Sequence, residues 1–145
     1  SGLYLKRGQP DKAQKAARQI NAISSSLYER AVALETIHEA HLLKSDFAGA
    51  KRAAEELLSL CEDEGDQKRG AMARIMIASA LFAEGDHFEA VAVAREAQAV
   101  LSDLGAAREE AHALRVVAEV QAAAGEHEAA LRAAGKARRV AQGAA

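Results

Sequence analysis

A short motif at Gly85–Ala90, which reads GDHFEA, returns 40 residues later at Gly125–Ala130 as GEHEAA. A related stretch, SDFAGA at Ser45–Ala50, stands 40 residues before the first of these, and GQPDKA at Gly8–Ala13 begins another 37 residues earlier. A self-similar period of this length is typical of stacked repeats of one supersecondary unit. Because such stacks present extended surfaces rather than enclosed catalytic pockets, the repeat favours a protein that holds other chains.

The composition is that of a helical protein. Half of the 145 residues are apolar but only 3% are aromatic, because alanine alone contributes 37 residues. Alanine together with Leu, Glu, Lys, Arg and Gln has a high helix propensity, and a single proline hardly interrupts it. No stretch of useful length shows the alternation of a β-strand. The sequence therefore predicts an all-α fold.

Each copy of the repeat predicts two helices joined by a short turn. After the turn, Ala90, Ala94 and Ala97 follow the three-and-four spacing of a helix. An acidic residue next to the turn suits the positive N-terminal end of that helix, and Gly65 and Gly105 stand where it should stop. We expect one domain over residues 1–145, with a partial repeat at 1–25 and repeats at about 26–65, 66–105 and 106–145. The predicted helices lie at about 10–23, 26–44, 46–63, 67–84, 86–103, 107–124 and 126–142.

The turn motif also carries a family likeness. A small residue, then Leu or Ile, then Gly-Asp or Gly-Glu, then Ala five residues after the glycine resembles the tetratricopeptide repeat, best in Ala78–Ala97 and Ala118–Ala137. The resemblance covers essentially the whole chain, with a 40-residue period like that of long-helix variants rather than the usual period of about 34. It implies a right-handed α-solenoid of antiparallel helix pairs, with seven helices in about three and a half repeats. Arg74 and His38 depart from the family pattern, which has a bulky apolar residue and a small residue there. HEAT or armadillo repeats, which lack this turn, are the alternative fold.

The resemblance further implies that the first helix of each pair lines a concave face that binds a peptide or helix of a partner. The predicted binding residues are Glu35, Glu39, Leu42, Met72, Ile75, Met76, Ser79, Phe82, His112, Arg115 and Glu119. Carrying the family pattern over by position adds Val32, Thr36, Leu43, Ala83, Val116, Ala122 and Ala123.

The middle copy is the most apolar part of this predicted face. Met72, Ile75, Met76 and Phe82 form a stripe at helical spacing, and methionines with an aromatic ring suit an adaptable groove. Packing of the same residues inside the stack is the alternative interpretation. A carboxylate clamp built from asparagines and cations is not expected, because the chain has one asparagine, Asn21, outside the predicted face.

Several other functions are disfavoured. The net charge of −2 arises from evenly mixed charges, so no nucleic-acid footprint is expected, and no apolar run approaches the length of a membrane span. Glu35, His38 and His41 share a helix face, but packing is a better explanation for these histidines than metal binding. Cys61 is also better explained by packing than by reactivity, because its acidic neighbours disfavour a reactive thiolate. No phosphate-binding loop or catalytic constellation stands out, so we expect neither an enzyme nor a cofactor.

Two further roles stay open beside the scaffold function. One is a structural or self-associating subunit, and the other is a peptide-sensing regulatory domain. Residues 1–7 resemble the last two turns of a helix, and the final helix has only partial polar cover from Arg132, Lys136 and Arg139. We therefore expect further repeats or end-to-end contacts between copies. The single cysteine is compatible with a reducing compartment, so an intracellular location is favoured.

Overall fold

The computed structural model describes residues 10–143, and the expectation for residues 1–7 lies outside that range. Seven helices occupy the described part of the chain, and it contains no strand. The helices are α1 (Pro10–Ile23), α2 (Leu27–Leu43), α3 (Phe47–Glu64), α4 (Gln67–Glu84), α5 (His87–Asp103), α6 (Ala107–Ala123) and α7 (His127–Gly143). Every predicted helix is confirmed, with its ends within one residue of the expected position.

Each helix packs against the next one in the chain, as expected for a stack of helical hairpins. In addition, α2 contacts α4 and α4 contacts α6, so the first helices of the three pairs form one continuous layer. The second helices α3, α5 and α7 make no comparably extensive contact with one another in the described structure.

The turns explain why the helices begin where they do. Asp46 accepts a hydrogen bond from the backbone N–H of Gly49 at 2.9 Å, and Asp86 accepts one from Glu89 at 3.2 Å. Asp66, which the sequence analysis did not single out, caps α4 in the same way. A carboxylate at this place satisfies one of the free N–H groups of the first turn and complements the helix dipole.

A residue in the left-handed backbone conformation follows several of the helices. The predicted stop glycines Gly65 and Gly105 have φ of 70° and 69°, and the turn glycines Gly85 and Gly125 have φ of 93° and 82°. Ser45 occupies the equivalent place in the first hairpin with φ of 58°, although a side chain is unfavourable in this conformation.

Alanines dominate the buried interior. Ala50, Ala90 and Ala130, which follow the three turns at the same spacing, are 0%, 0% and 8% exposed. The largest fully buried side chains are leucines and valines, such as Leu34, Leu57 and Val117. The small residues let paired helices approach closely, while the leucines fill the space between pairs.

Candidate functional site

The first-helix layer carries a stripe of side chains that the rest of the stack leaves uncovered. On α2 the exposed positions recur every three or four residues, so they lie along one side of the helix. We call the surface formed by this stripe and its repeat equivalents on α4 and α6 the first-helix face. Its residues on α2 are Tyr28, Val32, Glu35, Glu39, Leu42 and Leu43; on α4 they are Lys68, Met72, Met76, Ser79, Phe82 and Ala83; on α6 they are Arg108, His112, Arg115, Val116, Glu119, Ala122 and Ala123.

The structure brings most of the predicted binding residues to this face. Glu35, Glu39, His112, Arg115 and Glu119 are exposed. Leu42, Met72, Met76, Ser79 and Phe82 are partly exposed.

Two residues of the predicted surface belong to the interior instead. Ile75 is 2% exposed and packs in a core cluster with Leu101 of α5 and Ala113 of α6, so it offers no side-chain surface to a partner. Thr36 is 7% exposed, and its hydroxyl donates a hydrogen bond to the carbonyl of Val32 at 3.0 Å. The placement of Ile75 on the binding surface is therefore wrong.

The apolar side chains of α4 have a double role. Met76 packs against core clusters on both sides of α4, and Phe82 stacks in a tilted arrangement on His87 with 5.3 Å between ring centroids. Both nevertheless keep part of their surface exposed in the centre of the face. The core anchors these side chains, so they would lose little conformational freedom on binding.

Charged side chains of α4 contact both neighbouring helices at the N-terminal end of the face. The Arg69 guanidinium lies 5.4 Å from the centre of the Tyr28 ring, which connects α4 to α2. On the other side, Lys68 Nζ lies 3.3 Å from Glu109 Oε1 and connects α4 to α6. These residues were not among the predicted binding residues. The repeat could have predicted their place on the face, because these four residues stand one helical turn before the equivalent positions Val32, Met72 and His112.

The electrostatics of the face differ from helix to helix. Neighbouring side chains partly desolvate the exposed Glu35 carboxylate and raise its pKa, and the positive charge of Arg69 opposes that shift. Partial desolvation also lowers the pKa of His112, and Arg115 lowers it further, so neutral imidazole is favoured. The α2 edge thus carries the carboxylates of Glu35 and Glu39, whereas the α6 edge carries both Arg115 and Glu119.

The candidate metal residues do not form a site. His38 Nδ1 lies 2.9 Å from the carbonyl oxygen of Ala50 in the first turn of α3, and His41 Nδ1 lies 2.9 Å from Oδ2 of Asp46, the residue that caps α3. Within residues 10–143 no three His, Cys, Asp or Glu side chains are grouped to bind a metal ion. Cys61 is buried, and burial, reinforced by Asp66, raises the pKa of its thiol, which disfavours the reactive thiolate.

Comparison with known proteins finds no family model that matches this chain and no curated protein that matches it significantly. None of the seven described helices is both long enough and apolar enough to cross a membrane. The geometry of the first-helix face is therefore the basis for a functional assignment.

Proposed function

We propose that this protein is an interaction module of the tetratricopeptide-repeat type, which holds a peptide or a helix of a partner protein on its first-helix face. The observation that carries the proposal is the shared layer of α2, α4 and α6. The layer contains an apolar strip on α4, formed by the partly exposed Met72, Met76 and Phe82, and the exposed apolar side chains Val32 and Leu43 on α2. An apolar strip of this kind fits the apolar side of a partner helix.

Charged side chains on α2 and α6, the helices on either side of α4, would orient the partner. Glu35 and Glu39 lie on the α2 side, and Arg115 lies on the α6 side together with Glu119. Exposed charges contribute little affinity by themselves, but they select the partner and its direction. A partner helix with basic residues toward α2 would be complementary to this arrangement.

The test uses apolar residues that are exposed enough to be changed without unfolding the protein. Val32 and Leu43 are 41% and 58% exposed, so the double variant Val32→Gln, Leu43→Gln should keep its helical circular dichroism spectrum. Peptides selected from a random library against the wild type should bind this variant at least about tenfold more weakly in fluorescence anisotropy, because two apolar contacts are lost. Ile23→Gln on α1, which changes a residue that is 84% exposed away from the face, is the matched control. Weaker binding by the control with unchanged binding by the double variant would refute the proposal.

A self-associating subunit is the second candidate, and a different observation favours it. Phe88 and Leu131 are 86% and 73% exposed on α5 and α7, outside the first-helix face. Contact with a second copy of the chain would remove the apolar surface of these side chains from water. Light scattering at increasing protein concentration should then show a dimer or larger species, and Phe88→Gln should reduce it. A monomer at all concentrations would exclude this candidate.

A further inference from the structure

The middle repeat departs from the other two at two positions that lie one helical turn apart. Gly70 occupies the place of Arg30 and Glu110, and Arg74 occupies the place of Leu34 and Leu114. The equivalent leucines are fully buried, at 1% and 2% exposure, whereas Arg74 is only partly buried. Both substitutions fall on the side of α4 that faces α3 and α5, away from the first-helix face.

In the other repeats the position of Gly70 is filled by a long polar side chain. Arg30 Nε donates a hydrogen bond to Asn21 Oδ1 at 3.1 Å, which connects α2 to α1. Glu110 Oε2 accepts one from Gln98 Nε2 at 2.7 Å, which connects α6 to α5. The glycine removes this bridge from the middle repeat and leaves space between the neighbouring second helices.

That space is a cavity of about 530 Å³ between the C-terminal halves of α3 and α5 and the start of α4. Its size lies within the range of small-molecule sites. Leu58, Val100 and Leu104 provide apolar lining, and Arg74 lies in the same wall as Gly70. We call it the Arg74 cavity.

No ion pair joins Arg74 to the carboxylates that line the Arg74 cavity. Among residues 10–143, Arg74 has neither an ion pair nor a hydrogen-bond partner for its side chain, and the same holds for the carboxylates of Glu62 and Asp103, which also line the cavity. Asp66, the third carboxylate there, is already engaged by the backbone N–H and the guanidinium of Arg69. The cavity therefore combines one free cation, two free anions and an apolar wall.

We propose that the Arg74 cavity binds a free α-amino acid with an apolar side chain. The guanidinium of Arg74 would pair with the carboxylate of the ligand, because this geometry allows two parallel hydrogen bonds. Glu62 and Asp103 would hold its ammonium group, and Leu58 and Val100 would pack on its side chain. The inference is independent of the first-helix face, which lies on the other side of α4.

The binding test is a titration of the ¹⁵N-labelled protein with L-leucine, followed by amide chemical shifts. Two analogues separate the charge contributions: 4-methylpentanoate lacks the ammonium group, and 3-methylbutylamine lacks the carboxylate. We expect saturable shifts around residues 61–70 and 100–105, with both analogues binding at least about tenfold more weakly. No saturable shift with either L-leucine or L-methionine would overturn the proposal, and 4-methylpentanoate binding as tightly as leucine would overturn the assigned chemistry.

Variants test the residues directly. Arg74→Leu restores the residue of the other two repeats, so it should fold and should lose leucine binding. Gly70→Ala places a methyl group 3.6 Å from Cys61 Cβ and 3.7 Å from Leu58 Cδ1, an ordinary contact distance, and should weaken binding by occupying the cavity. Arg115→Leu, which removes an arginine from the first-helix face, should bind leucine like the wild type. Wild-type binding by a folded Arg74→Leu variant would refute the site.

Discussion

His41 Nδ1 lies 2.9 Å from Asp46 Oδ2, which connects the last turn of α2 to the residue that caps α3. On the other side of the ring, Gln14 Nε2 of α1 lies 3.0 Å from His41 Nε2. Because the amide nitrogen of Gln14 can only donate, Nε2 accepts, and the proton of the neutral ring therefore lies on Nδ1, beside the Asp46 carboxylate. A neutral imidazole thus connects three helices at the first turn of the stack.

This arrangement predicts a loss of stability in mild acid. Burial lowers the pKa of His41 despite the opposing effect of Asp46, and the positive charges of Arg18 and Lys44 lower it further. The folded state then binds fewer protons than the unfolded chain, so this stabilisation is complete above pH of about 6.5 and decreases as the pH falls below it. His41→Gln, which copies the buried Gln121 of the last repeat, should reduce the difference in melting temperature between pH 7.5 and pH 5.5, about one unit on either side of that pKa. His127→Gln, at an exposed position on α7, should leave the difference unchanged. An unchanged difference in the His41 variant would contradict this assignment.

The same histidine and aspartate explain a glycine inside α3. A Cβ atom on Gly49 would lie 2.5 Å from Asp46 Oδ2 and 2.6 Å from His41 Nδ1, too close for either atom. Gly49→Ala should therefore lower the free energy of unfolding by about 1–3 kcal/mol, as measured by urea denaturation. Gly135→Ala in α7 is the control, because its Cβ would meet only the flexible end of Arg139 at 3.4 Å. The control should stabilise the helix by about 0.5–1 kcal/mol, and an equal gain for Gly49→Ala would contradict the close approach.

The left-handed conformation of Ser45 predicts a stabilising change. Glycine occupies the equivalent position at Gly85 and Gly125, and it adopts this conformation without the steric cost of a side chain. Ser45→Gly should raise the free energy of unfolding by about 0.5–1 kcal/mol, after the entropic cost of glycine is subtracted. The reverse change Gly85→Ser should lower the free energy of unfolding. If both variants shifted the melting temperature in the same direction, the steric cost of a side chain in this conformation would not be the explanation.

The complete burial of Ala90 predicts an overpacking effect. Ala90 is 0% exposed and lies in a core cluster with Ile77 and Leu81 of the paired helix α4. Ala90→Leu should cost about 1–3 kcal/mol of stability, because three additional carbon atoms have no space. Ala99→Leu, at an exposed position of the same helix, should have little effect. A wild-type melting temperature for Ala90→Leu would show that the helices do not approach closely at this residue.

Much of the fold could be read from local chemistry. The three-and-four spacing of apolar residues, the acidic caps such as Asp46 and Asp86, and the stop glycines such as Gly65 predicted all seven described helices. These signals are local, because a helix cap involves residues within one turn and a left-handed residue involves one backbone unit. The sequence also placed the histidines His38 and His41 correctly in the interior.

Only the tertiary structure decided which of the repeated positions are available to a ligand. Glu35, Ile75 and Arg115 are equivalent in the sequence, yet Ile75 is covered by side chains of α5 and α6, and the other two are exposed. The Arg74 cavity likewise depends on the absence of a side chain at Gly70 between two helices that are distant in the sequence. Periodicity determines which side of a helix a residue occupies. Burial depends on how closely the neighbouring helices approach that side, and that distance is a property of the packed stack.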